Sequence, residues 1–449
     1  EEAGAAGRRL VAARDLPAGF TFMRVPESCV LSVDACAAMP HGQSMQQLFR
    51  LVVPEEVVEE DLRAEGAASQ PLPMATRRAA LYAALMLGPA AGGGEALAGL
   101  LGQLQRREAA ATTPFVWPGD ATAGQAAWRD VPRPIAEEWR GFLGSLSAEY
   151  AELFPALCEA FPASFPVERC TWEAWLRAHS TYTSRAFPRQ PGSCSADGVL
   201  LPLLDMLNHD SASANVEWRG AGLTERSGAR TTRAVAAGEE LVYSYGCKGN
   251  AELILGYGFA VWGNPHELAR VVVDAEELRG PEGAGVCEAA AAVDVALDTM
   301  CGISDFCLRS GVGKAVFKLS LDDLAAGSRG GGPWAALCQL CSATHVQLNR
   351  ATPEDVLQEV LWGACSGLMG EARDGTERGL DDWKAHVARA HSLDSIAVGT
   401  SRCATTPAGM VAALRDSQLS VVLAAVKRLA EQDPLPNGAG RWATRCHIL

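Results

Sequence analysis

The segment 200–210, LLPLLDMLNHD, places three side chains capable of chemistry in and just after an apolar run. Asp205 lies inside the run, and Asn208 and His209 follow it. Ionisable and amide side chains are rarely buried unless they are paired or functional. A carboxylate, an amide and an imidazole carried by one strand therefore indicate a candidate polar site. A strand end whose polar residues simply meet water is the structural alternative.

Three further clusters carry polar or aromatic side chains of the kind found in active sites. SRAF contains Arg185, with Arg189 beyond it, YSYG contains Tyr245, and GYGF contains Tyr257. Each has an ordinary explanation, because a strand tyrosine is usually a core residue and an arginine usually forms a surface ion pair. It is their order and spacing along the chain that point to a shared site.

Two kinds of pattern alternate along the chain and must position these residues. Residues 8–33 predict two strands joined by a turn at DLPAG, and strand-like runs return at 181–262. Apolar residues at helical spacing predict a helical block at 44–180 and a second one after residue 264. This order disfavours a Rossmann sheet, in which single helices alternate with strands.

A short helix is predicted at NAELILGYG, immediately before the last cluster. Asn250 is of the residue type that caps helix N-termini, and Gly258 is of the type that ends helices. The pattern therefore predicts that Tyr257 stands at the end of a helix.

Bulk composition limits the classes of partner. The chain has 449 residues, 48% of them hydrophobic and 20% charged, which is typical of globular proteins. No apolar stretch reaches the ~18 residues of a membrane span, and the net charge of −14 argues against sequence-independent binding of nucleic acid. We expect a soluble monomer without nucleic-acid or membrane partners. Because the chain begins with Glu1 instead of methionine, we expect a trimmed or processed N-terminus.

The cysteines do not suggest a metal or disulfide framework. All 14 are scattered, which is typical of reduced thiols in a long chain without a secretory signal. Cys338 and Cys341 form a lone C-x-x-C with His345 nearby, but structural zinc needs four ligands. Their segment has the pattern of a buried helix, and we predict no metal site.

Taken in order, five motifs resemble those of SET-domain protein-lysine methyltransferases of the Rubisco large-subunit methyltransferase-like class: GRRLVAARDLPAG, SRAF, LPLLDMLNHD, GEELVYSYG and NAELILGYGF. The resemblance spans most of the chain and implies an α+β fold. Residues 1–43 and 181–263 would form a SET-domain β-fold with a pseudoknot. A helical insertion at 44–180 would interrupt this core, and an all-helical substrate-binding domain at 264–449 would follow it.

The same resemblance implies a cofactor, an acceptor channel and the residues of both. It implies that S-adenosylmethionine is bound by Gly7, Arg8, Arg185, Asn208, His209 and Tyr245. It implies that Tyr245 is catalytic and that the channel is lined by Arg185, Arg189, Asp205, Tyr245 and Tyr257. Asp205 would either pair with Arg185 or attract the incoming cation. Ala6 and Arg9 depart from the glycine and acidic residue frequent in that family, so contacts there would involve backbone groups.

The implied function is direct in-line transfer of a methyl group to a deprotonated lysine amine of a non-histone protein. The Rubisco large subunit or aldolase is the implied partner, with the chloroplast as compartment and the cytoplasm as the alternative. A protein-histidine N-methyltransferase of the same fold is a second hypothesis. A catalytically weak SET-like scaffold subunit is a third, although Asn208, His209 and Tyr245 are all present.

Overall fold

The structure is a computed structural model that describes residues 9–52, 74–105, 113–117, 123–188, 198–220, 227–279, 286–299, 307–326, 332–344, 353–369 and 403–432. Gly7, Arg8 and Arg189 lie outside these ranges. The chain divides into two compact units. The first comprises Glu1–Trp117, Gly141–Cys247 and Leu255–Gly258, and the second comprises Pro118–Arg140, Lys248–Ile254 and Phe259–Leu449.

Strands and helices both occur in each unit. The described strands are β1 (Thr21–Arg24), β2 (Ala186–Pro188), β3 (Gly198–Leu200), β4 (Asn208–His209), β5 (Val216–Arg219), β6 (Gly228–Thr231), β7 (Val242–Tyr243), β8 (Ala260–Val261), β9 (Ala269–Asp274), β10 (Cys307–Gly311), β11 (Lys314–Leu319) and β12 (Cys403–Ala404). The described α-helices are α1 (Val33–Ala37), α2 (Pro40–Val52), α3 (Met74–Leu87), α4 (Gly94–Leu104), α5 (Ala123–Asp130), α6 (Arg133–Ala160), α7 (Trp172–Arg185), α8 (Asn250–Tyr257), α9 (Ala275–Arg279), α10 (Val286–Thr299), α11 (Leu321–Ala326), α12 (Pro333–Thr344), α13 (Pro353–Met369) and α14 (Pro407–Gln432).

The described residues of the first unit form three small sheets. β1, β6 and β5 form an antiparallel sheet in that order, β2 pairs antiparallel with β3, and β4 pairs parallel with β7. The predicted pair of strands within 8–33 is wrong, since β1 is the one strand that residues 9–33, the described part of this segment, form. Val11 and Leu16 instead make single bridges to Glu240 and Val235. Ala12 and Leu16 are buried in a core that includes Val235 and Leu241. The segment therefore pairs with the distant residues 235–241 instead of forming a local hairpin.

The helices of the first unit lie between β1 and β2 and pack around α3. Helix α3 is buried along residues 79–87 on all sides and packs against α1, α2 and α7.

No single described helix is long and apolar enough to span a membrane. One pair of helical segments, Arg78–Ala91 and Gly94–Leu104, meets the length and composition criteria together, but it is bent by 108°.

Helix α7 leads directly to the polar clusters. The Thr171 side chain caps its N-terminus by accepting a hydrogen bond from the backbone N–H of Ala174 at 3.2 Å. The helix ends at Arg185, and β2 begins at the next residue. The Tyr182 hydroxyl accepts the backbone N–H of Gly198 at 2.9 Å, which ties β3 to this helix. Arg185 is therefore fixed at a helix–strand junction.

The second unit contains a sheet that the sequence prediction missed. β10, β11 and β9 form a three-stranded antiparallel sheet, so the prediction of an all-helical domain at 264–449 is wrong. In β9, Val271 and Val273 are buried while their neighbours are less so, and β11 alternates in the same way. This period of two is the signature of a half-buried strand. The buried side of this sheet shares one hydrophobic core with four helices, α10, α12, α13 and α14.

Helix α8 covers the predicted segment, but Asn250 is not its cap. The Gly249 carbonyl accepts the backbone N–H groups of Glu252 and Leu253, and the amide of Asn250 exchanges two hydrogen bonds with the backbone of Val261, at 2.9 and 2.8 Å. A polar side chain can satisfy a distant backbone instead of its own helix end. Gly258 has φ +74° and ends the helix at Tyr257, as predicted.

The N-terminus of α8 faces a buried carboxylate. Glu267 is 2% exposed and accepts hydrogen bonds from the backbone N–H groups of Asn250 at 3.0 Å and Leu268 at 3.2 Å. Burial raises the pKa of Glu267 to about 7, and these bonds, with that of Gln418 and the charge of Arg270, oppose the increase in part.

This raised pKa predicts a pH dependence of stability. The folded state holds an extra proton between the ordinary pKa of 4.5 and about 7, so the free energy of unfolding falls as pH rises through that window, by about 3 kcal/mol. Glu267→Gln should flatten this slope in urea melts between pH 5 and pH 8. The exposed Glu276→Gln is the control and should keep it. An unchanged slope in Glu267→Gln would contradict the assignment.

Candidate active site

The parallel pairing of β4 with β7 brings two of the sequence clusters together in the first unit. Asn208 lies opposite Val242 and His209 opposite Tyr243, although 34 positions separate the partners. The backbone N–H of Asp210 continues the pairing to the Tyr243 carbonyl at 3.2 Å. The end of the 200–210 segment and the YSYG segment therefore lie side by side.

Tyr245 is fixed at both its backbone and its hydroxyl. Its backbone N–H donates to Nδ1 of His209 at 3.0 Å, and its hydroxyl donates to the Leu207 carbonyl at 2.8 Å. The first bond makes Nδ1 an acceptor, so a neutral His209 carries its proton on Nε2. The second directs the hydroxyl proton at Leu207, which leaves the lone pairs of the phenolic oxygen pointing elsewhere.

Tyr245 belongs to a cluster of three tyrosine rings. The Tyr245 ring centroid lies 4.7 Å from that of Tyr243 and 4.8 Å from that of Tyr257. Tyr243 also stacks on Phe187, with centroids 5.6 Å apart and planes within 19°. Burial raises the pKa of Tyr243 well above its usual range, and electrostatic interaction with Tyr245 and Tyr257 makes a smaller contribution in the same direction. The cluster is therefore an aromatic wall whose Tyr243 hydroxyl keeps its proton.

Arg185 and Asp205 form a largely buried ion pair. Arg185 Nη1 lies 2.7 Å from Asp205 Oδ2, and the two side chains are 14% and 9% exposed. The same Nη1 approaches the Asp205 backbone carbonyl at 3.5 Å. Of the two alternatives predicted for Asp205, pairing with Arg185 is the one observed. The negative charge of the carboxylate is compensated inside the site.

A polar network supports the other side of β4. Asn208 Nδ2 donates to Oε1 of Glu240 at 2.7 Å. The buried Asn215 donates from Nδ2 to the Glu240 carbonyl at 2.8 Å and accepts the backbone N–H of Val242 at 2.9 Å. Asn215 thereby holds the segment that leads from Glu240 into β7. A hydrogen-bonded network of this kind restricts its members to one arrangement.

The structure places the predicted site residues as follows. Tyr245, Tyr257, Asn208 and His209 meet around the β4–β7 pair, and Arg185 meets Asp205 through their ion pair. Gly7, Arg8 and Arg189 lie outside the described residues, so their roles stay predictions. Cys338 and Cys341 lie in α12, while His345 is outside the described ranges. No group of three histidine, cysteine, aspartate or glutamate side chains in the described ranges could hold a metal ion.

Sequence reasoning assigned no role to three contributors, of which Tyr243 belongs to the YSYG cluster. Tyr243 stands two positions before Tyr245, and a period of two places both on one face of a strand, so the Y-x-Y spacing could have indicated it. Glu240 lies in the GEEL turn, where acidic residues are common and carry no distinct signal. Asn215 lies in a loop before β5, and its role depends on contacts that only the folded chain makes.

The donor set suits a cationic methyl donor and an amine acceptor. Phenol oxygens, the carboxylate of Glu240 and the amide of Asn208 can accept hydrogen bonds or face positive charge. Aromatic faces also attract cations. These residues therefore fit S-adenosylmethionine and a basic side chain, and they could hold both by hydrogen bonding, ring contacts and charge.

Comparisons with known proteins point in the same direction. A family described as SET domain matches residues 7–246, which is more than half of the chain. The chain is 32% identical over 111 residues to Ribosomal lysine N-methyltransferase set10 of Schizosaccharomyces pombe, and 32% identical over 136 residues to Ribosomal lysine N-methyltransferase 1 of Saccharomyces cerevisiae. These alignments cover 24% and 29% of this chain and about a fifth of each relative, 20% and 22%.

A solved structure extends the likeness in fold to nearly the whole chain. The structure of Rubisco LSMT bound to AdoMet matches with a TM-score of 0.55 at 15% sequence identity, covering 99% of this chain and 90% of that one. At this level of identity the match shows a shared mixed α+β fold.

Proposed function

This chain belongs to the SET-domain family, and on that premise we propose that it is a protein-lysine N-methyltransferase that uses S-adenosylmethionine. The observation that carries the proposal is the placement of Tyr245, whose hydroxyl and backbone are both fixed beside β4 and two further tyrosine rings. The names of the two yeast relatives and the cofactor in the Rubisco LSMT structure support lysine as acceptor and S-adenosylmethionine as donor.

When bound, S-adenosylmethionine supplies an electrophilic methyl group and a positive charge that, at ~4 Å and an effective dielectric of ~20, opposes a lysine ammonium by about 4 kcal/mol. That energy corresponds to roughly three pKa units, so the acceptor amine can lose its proton without a strong protein base. Asp205 is held by Arg185, and we assign this pair to positioning, not to proton transfer.

Tyr245 aligns the acceptor. Because its hydroxyl proton is directed at the Leu207 carbonyl, the phenolic oxygen offers lone pairs to the amine or to the polarised methyl group. The rings of Tyr243 and Tyr257 wall the position, exclude water and favour the neutral amine. Fixed alignment of donor and acceptor removes several kcal/mol from the barrier.

The proposal also covers the topology of the core, the acceptor protein and the compartment. The parallel β4–β7 pair supports the threaded, pseudoknot connection expected of a SET core. The acceptor is a non-histone protein, either a ribosomal protein or a plastid protein such as the Rubisco large subunit or aldolase. We propose a chloroplast location only for the case in which the acceptor is one of these plastid proteins.

Label transfer tests the function. The full chain is incubated with S-adenosylmethionine carrying a labelled methyl group and with ribosome-enriched or Rubisco-enriched extract, and the labelled protein is hydrolysed for amino-acid analysis. Methyl-lysine is expected. Methyl-histidine would indicate the histidine enzyme, and no label together with no thermal shift by S-adenosylhomocysteine would indicate a scaffold.

Cofactor binding should depend on Asn208. In Asn208→Ala the amide is lost and Glu240 is left without its donor, and we expect affinity for S-adenosylmethionine to fall about tenfold. Calorimetric titration of the wild-type and variant proteins measures the change. Unchanged affinity would remove Asn208 from the cofactor site.

A further inference from the structure

Glu240 occupies a position between two segments predicted to meet the cofactor. Its carboxylate accepts the Asn208 amide at 2.7 Å. Its backbone bridges Val11, and on either side of that bridge Leu241 N–H donates to the Leu10 carbonyl at 2.8 Å and Ala12 N–H donates to the Glu239 carbonyl at 2.9 Å. One residue therefore links β4 to the segment that continues toward Gly7 and Arg8.

The two adjacent glutamates differ in how their charge is compensated. Glu239 is paired with Arg233 at 2.6 Å, and this hydrogen bond, together with those from the Ala236 backbone N–H and the Asn215 amide, lowers the pKa of Glu239 to about 2. Among the described residues, no arginine or lysine forms an ion pair with Glu240, whose carboxylate instead accepts a hydrogen bond from the neutral amide of Asn208. Glu240 is also partly buried, so its charge is less screened than that of an exposed side chain.

The bond to Glu240 also fixes the orientation of the Asn208 amide. Since Nδ2 must face the carboxylate, Oδ1 faces the opposite way. An amide that could rotate freely would present donor and acceptor in turn. The carboxylate therefore decides which group Asn208 presents.

We propose that Glu240 is a positioning and selectivity residue: it orients the Asn208 amide toward the cofactor, and its charge makes the site prefer cationic S-adenosylmethionine to the neutral product S-adenosylhomocysteine. This inference rests on the proposed function. Donor and product differ in the sulfonium charge, so a nearby carboxylate stabilises the donor selectively. A unit charge at roughly 10 Å in a partly screened interior changes the affinity of a charged ligand about tenfold.

Charge and positioning are tested by different variants. Glu240→Gln keeps an acceptor for Asn208 but removes the charge, and we expect affinity for S-adenosylmethionine to fall about tenfold while affinity for S-adenosylhomocysteine falls about twofold at most. The control is Glu217→Gln, a glutamate of the same unit that is 41% exposed and paired with Arg230. It should leave both affinities unchanged. Calorimetry with both ligands gives the ratio, which does not depend on the fraction of folded protein.

A double-mutant cycle with S-adenosylhomocysteine tests the positioning. If Glu240 acts through Asn208, Glu240→Ala should weaken binding severalfold in the wild-type background and have little further effect in Asn208→Ala. An unchanged ligand ratio in Glu240→Gln, or additive losses in the cycle, would overturn the inference while the wild-type protein still binds cofactor. Wild-type protein that binds neither ligand would overturn the proposed function and this inference together.

Discussion

Tyr245→Phe should reduce the rate of methyl transfer about 100-fold while leaving the affinity for S-adenosylmethionine nearly unchanged. The substitution keeps the ring, whose centroid lies 4.8 Å from that of Tyr257 and 5.0 Å from that of His209. It removes the hydroxyl that donates to the Leu207 carbonyl and whose oxygen we propose to face the reacting groups. Single-turnover rates and calorimetric affinities measured on the same preparation separate the two effects.

The chain offers a matched control for this change. The Tyr150 hydroxyl in α6 also donates to a backbone carbonyl, that of Cys170, at 2.7 Å. Tyr150→Phe therefore loses the same kind of hydrogen bond within the same unit, and it should cost stability without slowing the chemical step. Full activity in Tyr245→Phe, or an equal loss in both variants, would remove Tyr245 from the mechanism.

Local patterns predicted the elements that carry the site better than they predicted the pairing of those elements. The helix ending at Tyr257 follows from a short apolar segment and a glycine stop, and both signals are local. The polar end of the 200–210 segment was likewise visible in the sequence. The bridge between Val11 and Glu240 was not, because nothing near residue 11 specifies a partner more than 200 positions away.

The wrong predictions for Asn250 and for the second unit share a physical cause. Asn250 has the right type for a cap, but a distant backbone at Val261 uses both ends of its amide. The segment ARVVVD is short and is followed by helical patterns, so the sequence predicts it as part of a helical domain. In the structure it is β9, whose residues alternate in burial and which pairs with β11. Tertiary contacts override local propensity most readily in short elements and single polar side chains.

Removal of one partner of the Arg185–Asp205 pair should have the largest effect on stability. In Asp205→Asn, the largely buried Arg185 guanidinium loses the charge of the carboxylate that pairs with it, and we expect about 3 kcal/mol of destabilisation together with loss of activity. In Arg185→Met with Asp205→Leu, neither charge of this pair remains, and stability should return to within about 1 kcal/mol of wild type. Urea melts and single-turnover rates on folded protein measure both.

The comparison of these two variants decides what the pair is for. If it serves only the fold, the double variant recovers activity with stability; if it positions the acceptor, stability returns and activity does not. Glu138→Gln removes the negative charge of the pair with Arg270, at 2.9 Å, in the second unit, where the arginine side chain is largely buried and the glutamate is partly exposed. It should cost stability while leaving the single-turnover rate of folded protein intact. Because buried ion pairs contribute little net stability over apolar replacements, retention of Arg185 and Asp205 at this junction is better explained by the geometry they impose.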